Sequence, residues 1–540
     1  MRKQLPILQD ISVPLRGGAD FTYSNDFPAI CKNGYMETYK DALDSSQRLF
    51  FVKRPGTAVS TAIGPSSTPP GSNPVCVAAS VDALGGQNVF LIYSDAGNPI
   101  NTTSFYFNTT AKGAPGGWLP VASSYWHDIL QLSANAQYGN YVWAYTNGVQ
   151  GAVVDNTGAS TLINDADYTA WTTKTNMIDM DGYIFQGDYS TGYIYNSDLN
   201  TPTSWTATGR IQAGIYPGKL VKLAKLRKYL VAFKTTSIEF FENTGNPTPG
   251  SPLSAVPDLA RRYGLSRSDF AVPVSDGIIF AGFDPAGKPG IYKLNTDNLL
   301  VEDVGNDYLS QVLGDGVFTS SPNTASPAPT GFGTSGKASV LTFRNKELVI
   351  LPLPTQTSTA VTTFVYDNKL KWWSVWSYNA WSEQPFPCNA IVKKVGVGNI
   401  PLILVTGTTA DYKFYSVLET TYQDNGTTFE VKWISDKLDF GTSRRKYLNS
   451  FELLYDIGYN NSAIGPTTAS VSFYYYDTDD GSSGTTPRTA VATGTGLGRL
   501  IFRRLGSFRS RRFVWKHSNN SPFRVGAMEV DYGAAEDDID

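Results

Sequence analysis

A hairpin-like unit recurs along most of the chain and constrains its fold more than any other feature. In each unit an apolar run of about five residues comes first, a polar turn rich in Gly, Ser, Thr or Asn follows, and an aromatic-rich run ends it. Such runs are typical of strands, and such breaks are typical of hairpin loops. The units are VFLIYSDAGNPINTTSFYF (Val89–Phe107), YVWAYTNGVQGAVV (starting at Tyr141), YIFQGDYSTGYIY (Tyr183–Tyr195), YLVAFKTTSIEFF (Tyr229–Phe241), GIIFAGFDPAGKPGIYKL (Gly277–Leu294), ELVILPLPTQTSTAVTTFVY (Glu347–Tyr366) and LILVTGTTADYKFYSVL (starting at Leu402).

The spacing of these units points to a ring. Most start about 40 to 55 residues after the previous one, which is the length of a four-stranded propeller blade. The step from the fifth unit to the sixth is longer and contains a Pro/Ser/Gly-rich segment, 319–336, which is expected to be a flexible loop. The pattern predicts an all-β chain built on a β-propeller of six or seven blades. The alternative is a set of unrelated meanders in one or two β-sandwiches.

The chain changes character on both sides of the predicted propeller, which occupies residues 46–424. Residues 1–45 form an N-terminal arm in this interpretation, either separate or part of a C-terminal platform. Residues 425–540 lose the hairpin unit, and longer alternating runs such as LNSFELLYDIGY predict an antiparallel β-sandwich there. Helix is expected only in short pieces, one around Tyr35–Leu43 and a turn or two within Leu259–Asp269.

Composition excludes several classes of protein. The formal net charge is −3, so no overall attraction to nucleic acid is expected. The cysteines, Cys31, Cys76 and Cys388, are odd in number and far apart, which favours reduced thiols over a disulfide framework or a zinc site. Asp10 and Pro14 interrupt the N-terminal segment, so it is not a signal peptide in this interpretation, and no apolar run is long enough to span a membrane.

The sequence offers few parts for catalysis or cofactor binding. The only two histidines, His127 and His517, fall in different predicted domains, which argues against a Ser/His/Asp or Cys/His arrangement and against a transition-metal cluster. The Gly-rich stretch Gly494–Gly498 precedes a strand-like run, so a phosphate cradle is not expected. We therefore predict no catalytic residue, no cofactor site and no metal site.

Acidic residues close in sequence deserve separate treatment, because some propellers are glycosidases that use paired carboxylates. Asp179 with Asp181 is one candidate pair, and Asp477 with Asp479 and Asp480 is another group. A calcium loop at 477–484 is an alternative for the second group, although the closing Glu of an EF-hand is missing. Both groups lie in turn-like runs, where Asp is expected to hydrogen-bond the local backbone.

One charge feature stands out near the C-terminus. Arginines crowd this part of the chain before it ends in acidic residues, Glu536, Asp537, Asp538 and Asp540. The arrangement predicts docking onto an acidic partner surface; a solvated strand face with paired charges and contact with nucleic acid are the alternatives. The predicted docking residues are Arg444, Arg445, Arg499, Arg503, Arg504, Arg509, Arg511 and Arg512.

Several segments, in their order along the chain, resemble a known family. The segments are RLFFVKRPGT (Arg48–Thr57, similar to the Arg-Pro-Gly entry into the first blade), NSDLNTPTSW (Asn196–Trp205), GKLVKLAKLRKYLVAFKTTSIEFFENTG (Gly218–Gly245), RYGLSRSDFAVPVSDGIIFAGFDPAGKPGIYKL (Arg262–Leu294) and KWWSVWS (Lys371–Ser377). The family comprises the packaged-DNA stabilisation and tail nozzle or hub proteins of short-tailed bacteriophages, which include tail tubular protein B-like chains. The similarity covers roughly residues 45 to 420, and the proposed propeller inserts look short, so a large tip domain is absent or reduced in this interpretation.

The resemblance implies a structural virion protein of a phage tail. It implies a homo-oligomer, a hexameric ring below the portal and its adaptor, which retains genomic DNA and later conducts it without sequence specificity. Expected partners are the portal-adaptor tail protein and tail fibres or tailspikes, with assembly in the host bacterial cytoplasm. Two other functions stay open: a propeller glycosidase or depolymerase acting on host surface glycan, and a monomeric binding propeller.

Overall fold

The computed structural model of the chain describes most of the segments in which strands were expected. The described residues are 2–5, 30–40, 47–59, 72–81, 87–95, 103–107, 119–121, 128–132, 138, 141–146, 150–155, 160–246, 249–305, 309, 338–344, 346–355, 358–378, 384–386, 390–393, 401–405, 413–418, 420–457, 468–477, 485–493 and 497–534. The predicted loop at 319–336 and His127 lie outside them.

Five strands precede the propeller in the chain. They are β1 (Arg2–Leu5), β2 (Ile30–Lys32), β3 (Gly34–Lys40), β4 (Gln47–Lys53) and β5 (Gly56–Val59). The predicted helix at Tyr35–Leu43 is wrong as far as Lys40, because β3 pairs antiparallel with β4 along its whole length. Pairing with the next strand in the chain outweighs weak local helix propensity here, since GYMETYK carries aromatic and β-branched residues that suit a pleated surface.

Seven sheets then follow one another along the described chain. The first three consist of β6 (Ser72–Val81), β7 (Gln87–Asp95), β8 (Thr103–Phe107) and β9 (Leu119–Val121); β10 (Asp128–Gln131), β11 (Tyr141–Thr146), β12 (Gly151–Asp155) and β13 (Ser160–Leu162); and β14 (Lys174–Met180), β15 (Tyr183–Asp188), β16 (Tyr193–Asp198) and β17 (Thr201–Gln212). A four-residue helix, α1 (Ala166–Thr169), precedes the third sheet, and Asp165 caps it by accepting from two backbone N–H groups.

The next two sheets contain the two 3-10 turns of the described chain, Pro257–Leu259 and Ser268–Phe270. These turns overlap the predicted helical segment Leu259–Asp269 only at its two ends. The residues between them are not helical and include a short strand, Gly264–Leu265. The strands are β18 (Leu220–Leu226), β19 (Tyr229–Lys234), β20 (Ile238–Asn243) and β21 (Leu253–Ala255) in the fourth sheet, and β22 (Gly264–Leu265), β23 (Ala271–Val274), β24 (Gly277–Phe283), β25 (Pro289–Asn295) and β26 (Val301–Asp303) in the fifth.

The last two sheets of the series receive strands from the N-terminal part of the chain. The sixth is extended at its outer edge by β2, and the seventh is completed by β5. Their own strands are β27 (Ser339–Phe343), β28 (Lys346–Thr355), β29 (Ser358–Asp367), β30 (Trp372–Tyr378) and the short β31 (Gln384–Pro385) in the sixth sheet, and β32 (Ala390–Lys393), β33 (Pro401–Val405), β34 (Lys413–Leu418), β35 (Gln423–Asp424) and β36 (Thr427–Thr428) in the seventh.

The seven sheets close into a ring. The first strands β6, β10, β14 and β18 contact each other in that order, β22 contacts β19, β23 contacts β27, and β32 contacts both β27 and β6. The propeller prediction is confirmed, and the blade number is seven. Each predicted hairpin unit supplies the second and third strands of one blade. These middle strands are paired on both edges and covered by neighbouring blades, which explains their apolar sequences.

Packing between blades combines large apolar side chains with a few polar cross-links. Phe233 of the fourth blade meets Phe280 of the fifth with ring centroids 5.3 Å apart, and both rings are fully buried. Asn176 of β14 accepts from the Leu223 backbone N–H of β18 and donates to its carbonyl, both at 2.8 Å. Lys222 of β18 donates to the carbonyls of Ser268 and Ala271 in the fifth blade, both at 2.9 Å. Adjacent blades are thus held by burial and by hydrogen bonds around the ring axis.

The N-terminal part of the chain closes the ring. β5 pairs antiparallel with β34 as the fourth strand of the seventh blade, so Arg48–Thr57 contributes a strand to the last blade before the chain enters the first blade at β6. Gly56 begins β5, and a Cβ there would lie 2.2 Å from the Gln423 carbonyl oxygen. Only glycine permits this approach of two backbones, which gives the Gly of the Arg-Pro-Gly motif a packing role.

The remaining strands form two facing sheets. They are β37 (Val431–Ile434), β38 (Lys446–Asp456), β39 (Thr468–Tyr476), β40 (Arg488–Thr493), β41 (Leu497–Arg503), β42 (Ser507–Phe508), β43 (Arg512–His517) and β44 (Arg524–Ala534). One sheet has the order β3-β4-β44-β38-β41, with β1 and β42 paired alongside; the other runs β2-β37-β43-β39-β40. Because β2 also pairs parallel with β30, the second sheet is continuous with the sixth blade.

The core between the two sheets is rich in aromatic residues and includes residues from both ends of the chain. Phe451 of β38 stacks on Phe473 of β39 with centroids 4.3 Å apart. Phe51 of β4 meets Trp515 of β43 edge-on at 5.7 Å, and Leu5 is buried in the same cluster. The N-terminal strands therefore supply part of the hydrophobic core of the C-terminal β-sandwich.

Candidate interaction surface and its junction with the propeller

The edge strand β41 presents a row of exposed side chains. Alternate residues Leu497, Arg499, Ile501 and Arg503 face away from the core, while Leu500 and Phe502 point into it. Leu497 is 62% exposed and Ile501 37% exposed. Arg499 pairs with Glu452 on the neighbouring strand and keeps about half of its side chain in solvent. Exposed apolar and arginine side chains on an edge strand are typical of a surface that binds another protein.

Four further predicted docking residues are exposed at one end of the same sheet. Arg444, Arg445, Arg504 and Arg509 all lie at the surface. Lys446 pairs with Phe508, so the strand register places Arg445 and Arg509 at the ends of neighbouring backbone segments. Arg488 donates to the carbonyls of Arg503 and Arg504, at 2.5 and 3.0 Å, and so holds the chain after β41.

Arg511 and Arg512 are not at the surface, which corrects their inclusion in the predicted docking set. Arg511 has 1% of its area exposed. Its Nε and Nη2 atoms donate to the two carboxylate oxygens of Asp477 at 2.6 and 2.8 Å, and its guanidinium lies 3.6 Å from the centroid of the Tyr475 ring. Arg512 has 3% of its area exposed. Strand β43 starts at this point, and sheet packing draws both residues inward despite their exposed neighbours in sequence.

The same contact defines the role of Asp477. Its carboxylate binds Arg511, as expected for a structural residue and not for an open calcium loop, while Asp479 and Asp480 lie outside the described residues. The other candidate pair is also engaged. Asp179 accepts from the Tyr138 hydroxyl, and Asp181 accepts from the Asn243 amide at 3.0 Å.

Two features are absent from the described residues: a metal-binding cluster and a membrane-spanning helix. Among the residues that the structure describes, no group of three or more His, Cys, Asp or Glu side chains is arranged to hold a metal ion. No described helix has the length and apolar character needed to cross a bilayer.

A buried ion pair joins the sandwich to the propeller. Arg54 and Asp424 have no exposed side-chain surface, and two hydrogen bonds of 2.9 and 2.5 Å connect the guanidinium to the carboxylate. Arg54 also donates to the Ser377 carbonyl at 2.8 Å and lies 3.8 Å from the centroid of the Phe429 ring. Every face of the guanidinium is thus occupied, which is the condition under which a buried charge is tolerated.

Asn33 completes this junction. Its side-chain oxygen accepts from the Ser377 backbone N–H at 2.7 Å and from Arg54 Nε at 3.3 Å, and its amide donates to the Glu430 carbonyl at 2.8 Å. Asn33 has φ 57, in the left-handed region that Asn tolerates better than most residues. The side chain therefore links β30, the Arg-Pro-Gly segment and the start of the C-terminal region.

Two more ionisable groups are buried beside the junction. Lys53 donates to the Asn519 carbonyl at 2.7 Å, and burial, together with the charge of Arg54, lowers the pKa of Lys53 to about 7. His517 lies between the Ser470 carbonyl and the Ser521 hydroxyl at 3.0 and 3.1 Å, and burial lowers the pKa of His517 to about 3. His517 is therefore neutral near pH 7 and serves as a packed polar core residue.

Sequence reasoning missed the junction. Arg54 was noted only as part of a family-like motif, and Asp424 and Asn33 received no role. One signal was available: a Lys-Arg pair directly after the apolar run LFFV is unusual for a strand end unless the charges find buried partners.

The junction can be tested by removing one charge. Asp424→Asn leaves the Arg54 guanidinium buried without a counter-charge, so the free energy of unfolding should fall by about 3–5 kcal/mol. The control is Asp297→Asn, which breaks the exposed Arg227–Asp297 pair and should cost less than about 1 kcal/mol. Denaturant titration followed by intrinsic fluorescence measures both; equal losses would show that the junction does not depend on this charge pair.

Lys53 generates a pH prediction. Its pKa is lowered from 10.5 to about 7 in the folded chain, so the unfolded chain binds more protons between these values and stability rises with pH across that window. Between pH 7 and 10.5, Lys53→Met should lower the slope of the unfolding free energy against pH by up to the contribution of about one bound proton. The control Lys225→Met, at an exposed position, should leave this slope unchanged. An unaltered slope in Lys53→Met would contradict the burial of the neutral amine.

The chain is similar to several solved structures at low sequence identity. Dihydro-heme d1 dehydrogenase NirN is 10% identical, with a TM-score of 0.37, over 78% of this chain and 75% of that chain. KlHsv2 with a replaced loop is 12% identical, with a TM-score of 0.28, over 56% and 97%. An exo-beta-1,3-galactanase from Phanerochaete chrysosporium is 8% identical, with a TM-score of 0.24, over 89% and 100%. Similarity at this level carries no argument about function. No curated protein matches the chain.

A protein-family model is informative. The model described as "Bacteriophage P22 Gp10, beta-propeller" matches residues 132–399, which span most of the second blade, the third to sixth blades and the first strand of the seventh. The match covers five of the seven hairpin units and four of the five family-like segments. With its closed ring of seven blades, the chain belongs to this family of phage tail-stabilising β-propeller proteins and is a component of the virion tail.

Proposed function

We propose that this tail-stabilising protein is a non-catalytic nozzle or hub of a short-tailed phage. In this proposal it forms a hexameric ring below the portal and adaptor, retains the packaged genome and conducts it during ejection. The observation that carries the proposal is that the propeller and the β-sandwich are joined by a shared sheet and a buried ion pair. A closed propeller and a β-sandwich share the extended sheet of the sixth blade and the buried Arg54–Asp424 junction.

Mechanical rigidity supports this function. Ring closure through β5 leaves no open gap between the first and last blades, and the large aromatic side chains between blades bury much apolar area. A wall that holds pressurised DNA needs parts that do not shift against each other. We propose three parts for the chain. Residues 46–424, with the loop 319–336, form the propeller. Residues 425–540 form a docking platform, and the N-terminal arm, residues 1–45, joins that platform. The pairing of β4 with β3 and β44 suggests extending that arm to about residue 53.

The chain is suited to contact DNA without gripping it. Its net charge is −3, so no overall attraction to the phosphate backbone is expected. Strong phosphate contacts would slow a sliding duplex, because each one adds a counterion-release contribution to binding. We propose that DNA passes without sequence-specific contacts.

The platform is the proposed docking element. Six arginines of the predicted set remain at the surface, and they would meet an acidic face of the portal-adaptor protein, with tail fibres or tailspikes as further partners. Electrostatic complementarity of this kind sets orientation and speeds association. We also propose that assembly takes place in the host cytoplasm. The six residues are Arg444, Arg445, Arg499, Arg503, Arg504 and Arg509.

The glycosidase alternative gains no support from the candidate carboxylates. Asp179 and Asp181 lie two residues apart at the end of one strand. Asp179 accepts a hydrogen bond from Tyr138, and Asp181 accepts one from Asn243. Hydrolysis of a glycosidic bond needs two carboxylates facing each other across the bond.

Electron microscopy of the purified protein and of the phage particle tests the assembly. We expect a sixfold ring on the tail axis, and sedimentation of the purified protein should show concentration-dependent association. A particle in which the protein occupies a peripheral position, or a protein that stays monomeric at all concentrations and is absent from the tail axis, would overturn the nozzle proposal.

Charge reversal tests the docking surface. Arg503→Glu combined with Arg509→Glu should weaken binding to tail-deficient particles about tenfold or more, because two favourable contacts become repulsive. Lys225→Glu combined with Arg227→Glu makes the same change in net charge on the propeller and is the control. Co-sedimentation with particles at two salt concentrations measures both variants. Equal binding by both would remove these arginines from the docking surface.

A further inference from the structure

Strand β41 is the last strand of its sheet, so one of its two edges has no neighbouring strand among the described residues. In its pairing with β38, Arg503 lies opposite Ser450. The next pair of the ladder is hydrogen-bonded, because the Arg504 N–H donates to the Asn449 carbonyl at 3.3 Å. Bonded and non-bonded pairs alternate along antiparallel strands. Arg503 and every second residue before it therefore turn their backbone N–H and C=O groups away from β38.

A side chain from β40 shows the same orientation. Arg488 of β40 donates to the Arg503 carbonyl at 2.5 Å, so this carbonyl is not directed at β38. Farther along the strand, no described residue bonds the outward backbone groups of Arg499 and Ile501. Unpaired backbone groups on a sheet edge are a template for the pairing of another strand. The open edge of β41 thus extends over residues 497–501 and ends at the carbonyl that Arg488 occupies.

The side chains of the open edge form a row of alternating character. Leu497 and Ile501 are apolar and exposed, and Arg499 and Arg503 follow each of them two residues later. Alternate side chains of a strand lie on one face, about 7 Å apart. Arg499 is paired with Glu452 of β38, whereas no described residue pairs with the Arg503 guanidinium. The row therefore reads apolar, basic, apolar, basic along one exposed face.

We propose that the open edge of β41 binds an extended acidic segment of a partner protein as an additional strand. The backbone of the segment bonds the outward N–H and C=O groups of Arg499 and Ile501, the mode of recognition known as β-strand addition. Cross-strand neighbours interact most favourably when apolar meets apolar and acid meets base. The preferred segment therefore alternates apolar and acidic residues at every second position, and the residues between them face the other side of the sheet.

Charge favours such a segment over a second copy of the same strand. Pairing of two β41 strands would bring Arg499 and Arg503 of both copies onto one face, and like charges on neighbouring strands are destabilising. An acidic segment neutralises the same row. Complementary charge sets the choice of segment, and the position of Arg488 sets where pairing ends.

Peptide binding to the full-length protein tests the charge preference. The probe is a fluorescein-labelled peptide, Thr-Val-Thr-Glu-Thr-Val-Thr-Glu-Thr, and we expect it to bind at least tenfold more tightly than the same peptide with lysine in place of glutamate. Arg503→Glu should reduce this preference several-fold. Arg509→Glu is the matched control, because Arg509 is exposed but lies outside β41. Equal affinity of the unaltered protein for the two peptides, or an equal effect of the two substitutions, would overturn the proposal.

A proline substitution tests the backbone pairing. Ile501→Pro removes an N–H that points to the open edge, so the fold should persist, because proline is tolerated on edge strands. Affinity for the acidic peptide should fall at least tenfold. Ile501→Thr keeps the N–H and should lose less, and Val491→Thr, at an exposed apolar position of the other sheet, should lose nothing. Unchanged affinity in a folded Ile501→Pro variant would refute strand addition.

Hydrogen exchange of the unaltered protein gives a readout that needs no substitution. Saturating acidic peptide should slow exchange of the Arg499 and Ile501 amides at least several-fold. The Leu500 and Phe502 amides point to β38 and should show little change, which makes them internal controls. Absence of protection at Arg499 and Ile501 would contradict the proposal.

Sedimentation identifies a competing occupant. If a second copy occupied the open edge, the unaltered protein would self-associate through it, and both Ile501→Pro and excess acidic peptide would abolish that association. This result would contradict the proposal. Association that neither of them changes is the expected outcome.

Binding to tail-deficient particles separates strand addition from the proposed docking function, on which the identification of the partner as a tail protein rests. If both are correct, Ile501→Pro weakens particle binding at least tenfold. If the acidic peptide binds as expected while Ile501→Pro docks normally, strand addition stands and docking uses other arginines of the platform. Absence of peptide binding, together with loss of docking in Arg503→Glu combined with Arg509→Glu, would refute strand addition and leave the docking surface in place.

Discussion

Arg54 and Asp424 form an ion pair without exposed surface at the point where three parts of the chain meet. Arg54 follows β4 of the sandwich and precedes β5 of the seventh blade, while its Nη2 atom binds the carbonyl of Ser377 at the end of the sixth blade. Ring closure and the attachment of the sandwich therefore depend on one side chain. Isolated buried charges are costly, so this geometry is favourable only when all three parts are in place, and it specifies their arrangement more than it adds stability.

This construction relates the docking surface to the ring. The sheet of the sixth blade continues through β2 into the sandwich, and the facing sheet carries the exposed row of β41. Bonds at the junction and shared sheet hydrogen bonds leave little freedom between the two parts. A load applied to the sandwich is therefore transmitted to the propeller through backbone pairing, which suits a tail-stabilising protein.

The arginines near the C-terminus illustrate how local sequence and tertiary position differ. Arg509 and Arg511 are two residues apart and have the same chemistry, yet Arg509 is exposed and Arg511 is buried against Tyr475 and Asp477. Residues 499 and 503 could be assigned to one face by strand alternation alone. Residues 511 and 512 could not, because they pass from a turn into β43, where the direction of each side chain depends on the sheet it joins.

The repeated hairpin by itself determined the fold class, because apolar middle strands recur at blade length whatever their surroundings, and each predicted unit became the centre of one blade. The scarcity of histidine likewise limited the catalytic arrangements that the sequence could suggest. The helix expected from Tyr35 was wrong because β3 pairs with β4, the next strand in the chain. The blade number and the closing strand depended on tertiary structure, since β5 pairs with a strand more than three hundred residues away. Pairing partners so distant in the chain leave no local pattern, so the junction at Arg54 became visible only in three dimensions.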